Sequence, residues 1–281
     1  MKIIIIGFNN IVARHLIDMN IKNKIIIISR KKIFNNPNII ASYDYNDLFD
    51  KNKLKKIFNN VNIVINTIGN SINDSKMMEI NYSLPKKIIN LLINLNNKIH
   101  WFQISSLSVY GRASRKKKYI NENSPILTNN IYSKSKYYFD KHLMDIKNPN
   151  VNITILRCGA IASKEMKNNS LRDFISFIIK KYFFYISNSS SCYLHYIYID
   201  DVCTTILNIA SNYNSNKRFQ IFNLTDNILI KDFVNYVCLK KKISKPLITI
   251  NIYLFNIIFF IINLFKPISF NKNKLNNLLN R

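Results

Sequence analysis

Glycine is nearly missing from this chain: four in 281 residues, at Gly7, Gly69, Gly111 and Gly159. Acidic residues are also scarce, 15 Asp and Glu against 41 Lys and Arg, for a formal charge of +26. Four cysteines, Cys158, Cys192, Cys203 and Cys238, form no C-x-x-C pair and show no metal-ligand spacing. That excludes a disulfide framework and predicts reduced thiols in a cytoplasmic protein. His15, His100, His142 and His195 are scattered, so no metal site is expected. The apolar run at the start ends at Gly7, which is too short for a signal peptide, and no small-residue cleavage site follows. The apolar stretch 247–265 is interrupted by Asn251, Asn256 and Asn263, each costly in hydrocarbon. A helix packed on a small lobe is the expectation there, with peripheral membrane contact through 247–265 as the other reading.

What is present is enough apolar material for a packed core: 48% hydrophobic and 12% aromatic residues. The positive charge is spread along the chain, in short runs such as 115–118 and 240–242, without an aromatic–basic recognition module. It reads as solvated surface rather than as a nucleic-acid interface.

Strand-like and helix-like segments alternate through the first two-thirds, the signature of a parallel sheet covered on both faces. Strands are expected over 2–6, 24–29, 61–66, 99–104 and 151–156. Helices are expected over 11–19, 50–58, 82–95 and 132–144. Beyond Gly159 the reading is a helix over 171–184, a strand over 193–199, a helix over 200–210 and a strand over 219–224. With so little glycine, each one marks a place where the backbone needs positive φ or close approach. Gly7 and Gly69 stand at predicted strand ends and Gly159 just past one, where an open parallel sheet lines its ligand crevice.

An ordered series of motifs runs along 1–225: Gly7-Phe8-Asn9-Asn10-Ile11-Val12-Ala13 after the first strand, then Asp47-Leu48, then Asn66-Thr67-Ile68-Gly69. Asn81-Tyr82, Ser105-Ser106-Leu107-Ser108-Val109-Tyr110-Gly111, Tyr132-Ser133-Lys134-Ser135-Lys136, Leu156-Arg157-Cys158-Gly159 and the 195–202 segment follow. This series resembles the extended short-chain dehydrogenase/reductases, also called NAD-dependent epimerase/dehydratases. The resemblance implies an α/β fold: a Rossmann doubly wound parallel sheet over 1–158 and a smaller C-terminal substrate lobe over 159–281, with 196–225 returning to the core. It implies an NAD(P)-dependent enzyme acting on a sugar nucleotide, in surface polysaccharide precursor synthesis, and a homodimer through long helices. The first turn departs from G-x-x-G-x-x-G: Ala13 needs only close helix packing, whereas Asn10 stands where glycine admits the pyrophosphate. Asparagine can adopt left-handed backbone angles, which softens that departure from glycine.

By the same resemblance, Ser106, Tyr132 and Lys136 are the catalytic residues. Ser106 holds the substrate oxygen, Tyr132 is acid and base, and Lys136 binds the nicotinamide ribose and favours the phenolate. Ser105 and Ser108 are the rivals of Ser106, and His195 is expected to be structural. Cofactor contacts are implied at Gly7, Asn10, Ile11, Arg30, Asp47, Leu48, Asn66, Ile68, Gly69, Tyr132 and Lys136. The second strand ends in Ser29-Arg30-Lys31-Lys32 without an acid, which favours NADP over NAD, with Arg30 on the 2′-phosphate. Ala160-Ile161-Ala162 replaces an asparagine common in sugar-nucleotide epimerases, and Leu194 replaces an arginine. A second reading is a dinucleotide-binding sensor, or a structural subunit of a membrane-associated assembly, without turnover.

Overall fold

A computed structural model of the chain describes residues 2–19, 24–33, 36–95, 97–111, 119–166, 170–186, 192–212, 218–251 and 253–254. The residues divide into two units. The larger takes 1–111, 115–165 and 197–224; the smaller draws on 166–196 and on residues from 225 onward.

The larger unit is built on seven parallel strands in the order β10-β6-β5-β4-β1-β2-β3. These are β1 (Lys2–Ile6), β2 (Lys24–Ser29), β3 (Ile39–Asp44), β4 (Ile63–Asn66), β5 (Ile99–Ser106), β6 (Val151–Cys158) and β10 (Phe219–Leu224). Helices α1 (Ile11–Met19), α2 (Lys51–Phe58), α3 (Asp74–Met78), α4 (Leu84–Ile93), α5 (Ile131–Met144) and α7 (Ile199–Ser211) cover it, and a short β7 (Ala160–Ala162) follows β6. Isoleucine runs suit central strands because β-branched side chains pack on both faces of the pleat. Ile4, Ile6, Ile26 and Ile28 join one core with Leu54, Phe58, Ile88 and Phe139. Ile3, Ile5, Ile25 and Ile27 join the other with Val12, Leu16, Val202 and Ile206. Adjacent residues in one strand thus feed opposite cores, as the two-residue period of a strand requires.

Helix starts are fixed by side chains. Asp50 accepts the N–H groups of Asn52 and Lys53 to open α2. Asn130 and Ser133 form a reciprocal capping box that opens α5. The expected helix over 82–95 begins only at Leu84, with Pro85 in its first turn, after a π-helical turn over Glu79–Ser83.

In the smaller unit α6 (Ser170–Ile179) ends five residues before the expected Phe184, because Lys181 turns the chain at φ +59°. It packs on α8 (Ile230–Lys241), with Phe174 stacked on Phe233 at 5.6 Å. Strands β9 (Tyr193–Tyr198) and β11 (Asp226–Leu229) pair antiparallel, and β8 (Tyr185–Ile186) pairs parallel with β12 (Thr249–Ile250). The expected helix over 247–265 is therefore corrected at its start, where Thr249 and Ile250 are extended and hydrogen-bonded into a ladder. Its part from 255 onward lies outside the described residues. No described helix is long and apolar enough to cross a membrane.

Candidate active site

The carboxyl ends of β1, β4, β5 and β6 bring Gly7, Gly69, Ser106 and Gly159 to one edge of the sheet. Gly7 has φ +98°, and a Cβ there would lie 3.0 Å from the Ile68 amide nitrogen and 3.1 Å from Thr67 Oγ1. Only glycine fits both constraints. Thr67 closes the crossing by donating its hydroxyl to the Gly7 carbonyl at 2.5 Å.

Helix α1 starts at this edge. Asn10 does not use the left-handed region; positive φ outside glycine occurs, among the described residues, at Asn60, Lys181 and Lys242. Its Oδ1 instead accepts the Val12 N–H at 2.9 Å and its carbonyl accepts the Arg14 N–H at 3.3 Å, so Asn10 caps the helix. A capping asparagine holds ordinary extended angles, which removes the need for the left-handed region. Ile11 follows as the first helical residue and packs against the core of that face.

On α5, Tyr132 is half-buried, with the Ser106 hydroxyl beside its phenol. Burial raises the phenol above its ordinary value, the nearby Ser106 hydroxyl lowers it, and buried Cys158 and Asp140 push in the same direction as burial. One turn along, the Lys136 ammonium donates to the carbonyls of Ile104 at 3.1 Å and Ile68 at 3.4 Å. Burial pushes it down to about 8, against the opposing pull of Asp140.

Beneath Lys136 lies an ion pair that the sequence reading missed. Arg157 Nε donates to Asp140 Oδ2 at 3.1 Å, both side chains being buried, and the Ser105 hydroxyl donates to the same oxygen at 3.0 Å. Arg157 Nη1 also donates to the Tyr110 hydroxyl at 2.7 Å, which in turn donates to Asn223 Oδ1 at 2.9 Å. The signal was an arginine inside the otherwise uncharged strand 151–158, which cannot be buried without a carboxylate. Ser105 is thus engaged below the sheet edge. Ser108 donates its backbone N–H to Ser106 Oγ at 3.2 Å, and its own hydroxyl is buried.

Asn66 is fully buried; its amide donates to Gln103 Oε1 at 2.7 Å and accepts the Ile68 N–H at 3.1 Å. Its side chain therefore shapes the turn and does not face the crevice. Asn81 binds the Asn70 backbone in both directions and donates to Ser135 on α5 at 2.9 Å, fixing the loop after β4 to the helix that carries Tyr132 and Lys136.

Farther along the edge Arg30 is exposed beyond β2. Asp44, opposite Ser29 in the ladder, is an acid the sequence order concealed, and its carboxylate caps the 3-10 turn over Tyr45–Phe49. Asp47 accepts the Asp44 N–H at 3.0 Å and bonds Lys53 at 2.8 Å, with Lys32 at 3.8 Å. Those hydrogen bonds hold its carboxyl below the usual range. Leu48 lies in the core. In the smaller unit His195 pairs with Asn227 across β9 and β11 at 3.0 Å. Among the described residues no group of three or more His, Cys, Asp or Glu is placed to hold a metal ion.

A dinucleotide fits this arrangement. A Cβ on Gly69 would stand 3.5 Å from Lys136 Nζ and 3.9 Å from Asn10 Nδ2, so its absence leaves free the space between the capped helix and the buried ammonium. Lys136, Asn10 and the Thr67 carbonyl border that space, while Arg30 follows β2, and Asp47 and Leu48 follow β3.

Comparison with solved structures gives the same architecture. UDP-glucuronic acid 4-epimerase from Bacillus cereus, in complex with NAD, superposes with a TM-score of 0.67 at 15% identity, covering 89% of this chain and 87% of that one. The UDP-Glc/GlcNAc 4-epimerase from Campylobacter jejuni gives 0.67 at 16%, covering 89% and 86%. RMD from Pseudomonas aeruginosa, complexed with NADPH, gives 0.63 at 13%, covering 89% and 87%. Comparison with curated protein sequences finds no match. The profile of the NAD dependent epimerase/dehydratase family matches residues 3–225. The chain therefore belongs to that family of NAD-dependent enzymes.

Proposed function

We propose that the protein epimerises, dehydrates or reduces a sugar nucleotide, with Ser106, Tyr132 and Lys136 as its catalytic residues. The observation that carries this reading is the Ser106 hydroxyl beside the Tyr132 phenol, one helical turn from the buried Lys136 ammonium. Bound NAD(P) supplies hydride acceptance and return at its nicotinamide. The chain supplies the rest: Ser106 holds the substrate oxygen, Tyr132 takes or gives its proton, and Lys136 holds the ribose and keeps positive charge beside the phenol. Gly7, Asn10, Ile11, Ile68 and Gly69 line the dinucleotide path, and the backbone at Asp47 and Leu48 receives the adenine. Residues 159–281, apart from the returning 196–225, form the substrate lobe. The setting is cytoplasmic synthesis of surface polysaccharide precursors by a homodimer joined through α5, which exposes Ile131 and Tyr138.

NADP is the favoured form. Arg30 is exposed at the end of β2, and the nearest acid, Asp44, is engaged in its cap rather than free to bind a ribose. Arg30→Glu is expected to weaken NADPH binding more than NADH binding in calorimetric titration.

Tyr132→Phe tests the whole reading with UDP-glucose, UDP-glucuronic acid and UDP-GlcNAc, the sugars of the structural relatives. Turnover should fall by about 10²–10⁴-fold with dinucleotide affinity retained. The second reading, a dinucleotide sensor without turnover, is motivated by Asn10 at the helix start; it requires that no substrate turns over and that Tyr132→Phe alters nothing.

A further inference from the structure

The C-terminal ends of α6 and α8 make one edge of the smaller unit. Ile178 packs with Val237 and Cys238, one turn beyond the stacked Phe174 and Phe233. Past α6 the chain turns at Lys181; past α8 it turns at Lys242, φ +53°. The two return segments meet where β8 pairs with β12 and the Tyr185 N–H donates to the Ile248 carbonyl at 2.9 Å. Both helix ends and both return segments therefore lie side by side.

This edge exposes apolar side chains that a solvated face does not require. Leu247 is 92% exposed, Leu239 75%, Ile248 65% and Tyr182 63%, and the Tyr182 ring meets exposed Phe177 at 5.8 Å. Among them stand Lys180, Lys181, Lys240, Lys241, Lys242 and Lys245, all exposed. No Asp or Glu occurs in 174–186 or 233–254; the acids of the two helices, Asp173 and Asp232, sit in their first turns, at the far ends. Helix-dipole complementarity accounts for Lys240 and Lys241. The same complementarity accounts for Lys180 and Lys181 at the end of α6, but not for Lys245 or for the bare leucines.

We propose that this edge docks on an anionic lipid surface. Exposed aliphatic and aromatic groups enter the headgroup boundary, and the lysines lay their stems along it with ammonium groups on lipid phosphates. The pairing of charge with apolar surface selects this occupant. A second copy would bring the same six ammonium groups against themselves, and a nucleic acid would leave Leu239, Leu247 and Ile248 unused. The proposal does not depend on the catalytic reading, because lipid binding is measured without dinucleotide or sugar.

The full chain is sedimented with vesicles of phosphatidylcholine alone and with vesicles that also contain phosphatidylglycerol. It is expected to sediment only with the second. A lysine near an anionic surface contributes roughly fivefold in partition, so Lys240→Gln/Lys241→Gln/Lys242→Gln should lose at least about tenfold. Leu247→Ser, at a side chain that barely touches the fold, should lose at least about fourfold, the worth of a single methylene at about 0.8 kcal/mol. Lys51→Gln/Lys55→Gln/Lys56→Gln, on the exposed face of α2, should change little. Equal loss in the two triple variants would assign the binding to overall charge and overturn the proposal. Equal sedimentation with neutral vesicles, no sedimentation at all, or unchanged binding of Leu247→Ser would overturn it as well.

Discussion

Asn10 Oδ1 and the Val12 N–H, 2.9 Å apart, close the first turn of α1 at the point where a dinucleotide would place its pyrophosphate. The side chain satisfies a donor that the ligand would otherwise use. Asn10→Gly should therefore tighten dinucleotide binding about fivefold, the worth of one net hydrogen bond. It should lower stability by only a few tenths of a kcal/mol. Calorimetric titration beside a thermal melt checks both; weaker binding by the variant would show that the Asn10 amide is itself a ligand.

Gly111→Ala should be among the most damaging single changes. At φ +63° its Cβ would lie 1.7 Å from the Leu127 carbonyl oxygen, which must then move. Leu127 donates its N–H to the Val109 carbonyl at 3.2 Å, so the displacement reaches the segment that carries Ser106 and Tyr110. A loss above about 4 kcal/mol is expected, read as a fall in melting temperature or in soluble yield. A melt within a few degrees of the parent would refute this.

Much of the frame was legible in the sequence, and the reason is burial. The runs at 2–6 and 24–29 are apolar throughout because both faces of those strands are covered. Strand β3 was not legible: it is an edge strand with Ile40 exposed and its other residues half-buried, so no continuous run announces it. Helix α8 was missed because it buries only Val234, Val237 and Cys238 among polar neighbours. At the site, Ser106, Tyr132 and Lys136 could be named from motifs, while the Asp140–Arg157 pair depends on a helix and a strand meeting face to face. Asp44 escaped because it neighbours Ser29 across a ladder, fifteen positions away in sequence.

Asp140→Asn should cost about 3–5 kcal/mol, because it leaves Arg157 charged and buried without its counter-ion. Asp140→Leu combined with Arg157→Met should recover a large part of that loss. Since Asp140 raises the Lys136 pKa, its removal should also lower the pH at which that ammonium titrates from about 8. The expected readout is an alkaline limb of kcat/KM that moves to lower pH in Asp140→Asn. A limb that stays in place would separate Lys136 from that titration.

His100 should make the fold acid-sensitive. It is buried on β5, stacks on Phe102 at 4.2 Å and contacts Thr154 Oγ1 at 2.8 Å. Burial lowers it from 6.5 to about 4. Above pH 6.5 neither folded nor unfolded chain is protonated there, and the full stability is present. As pH falls from 6.5 toward 4 the unfolded chain takes up a proton that the folded chain refuses, so stability drops, by roughly 2 kcal/mol at pH 5. Melts at pH 7 and pH 5 should differ by less in His100→Gln than in the parent; equal differences would remove His100 as the cause.

The strand order places β10 beside β6, although Phe219 comes 61 positions after Cys158. During synthesis, β6 reaches its other neighbour, β5, at once, but its free edge waits for a strand made later. At about 5–20 residues per second, that interval is roughly 3–12 s. For that time a nascent sheet rich in isoleucine presents an unpaired edge, the kind of surface on which chains join one another. Yield of this protein should thus be governed by how fast residues 159–224 emerge and by which chaperones meet the chain meanwhile, a constraint on its making that its finished stability does not reveal.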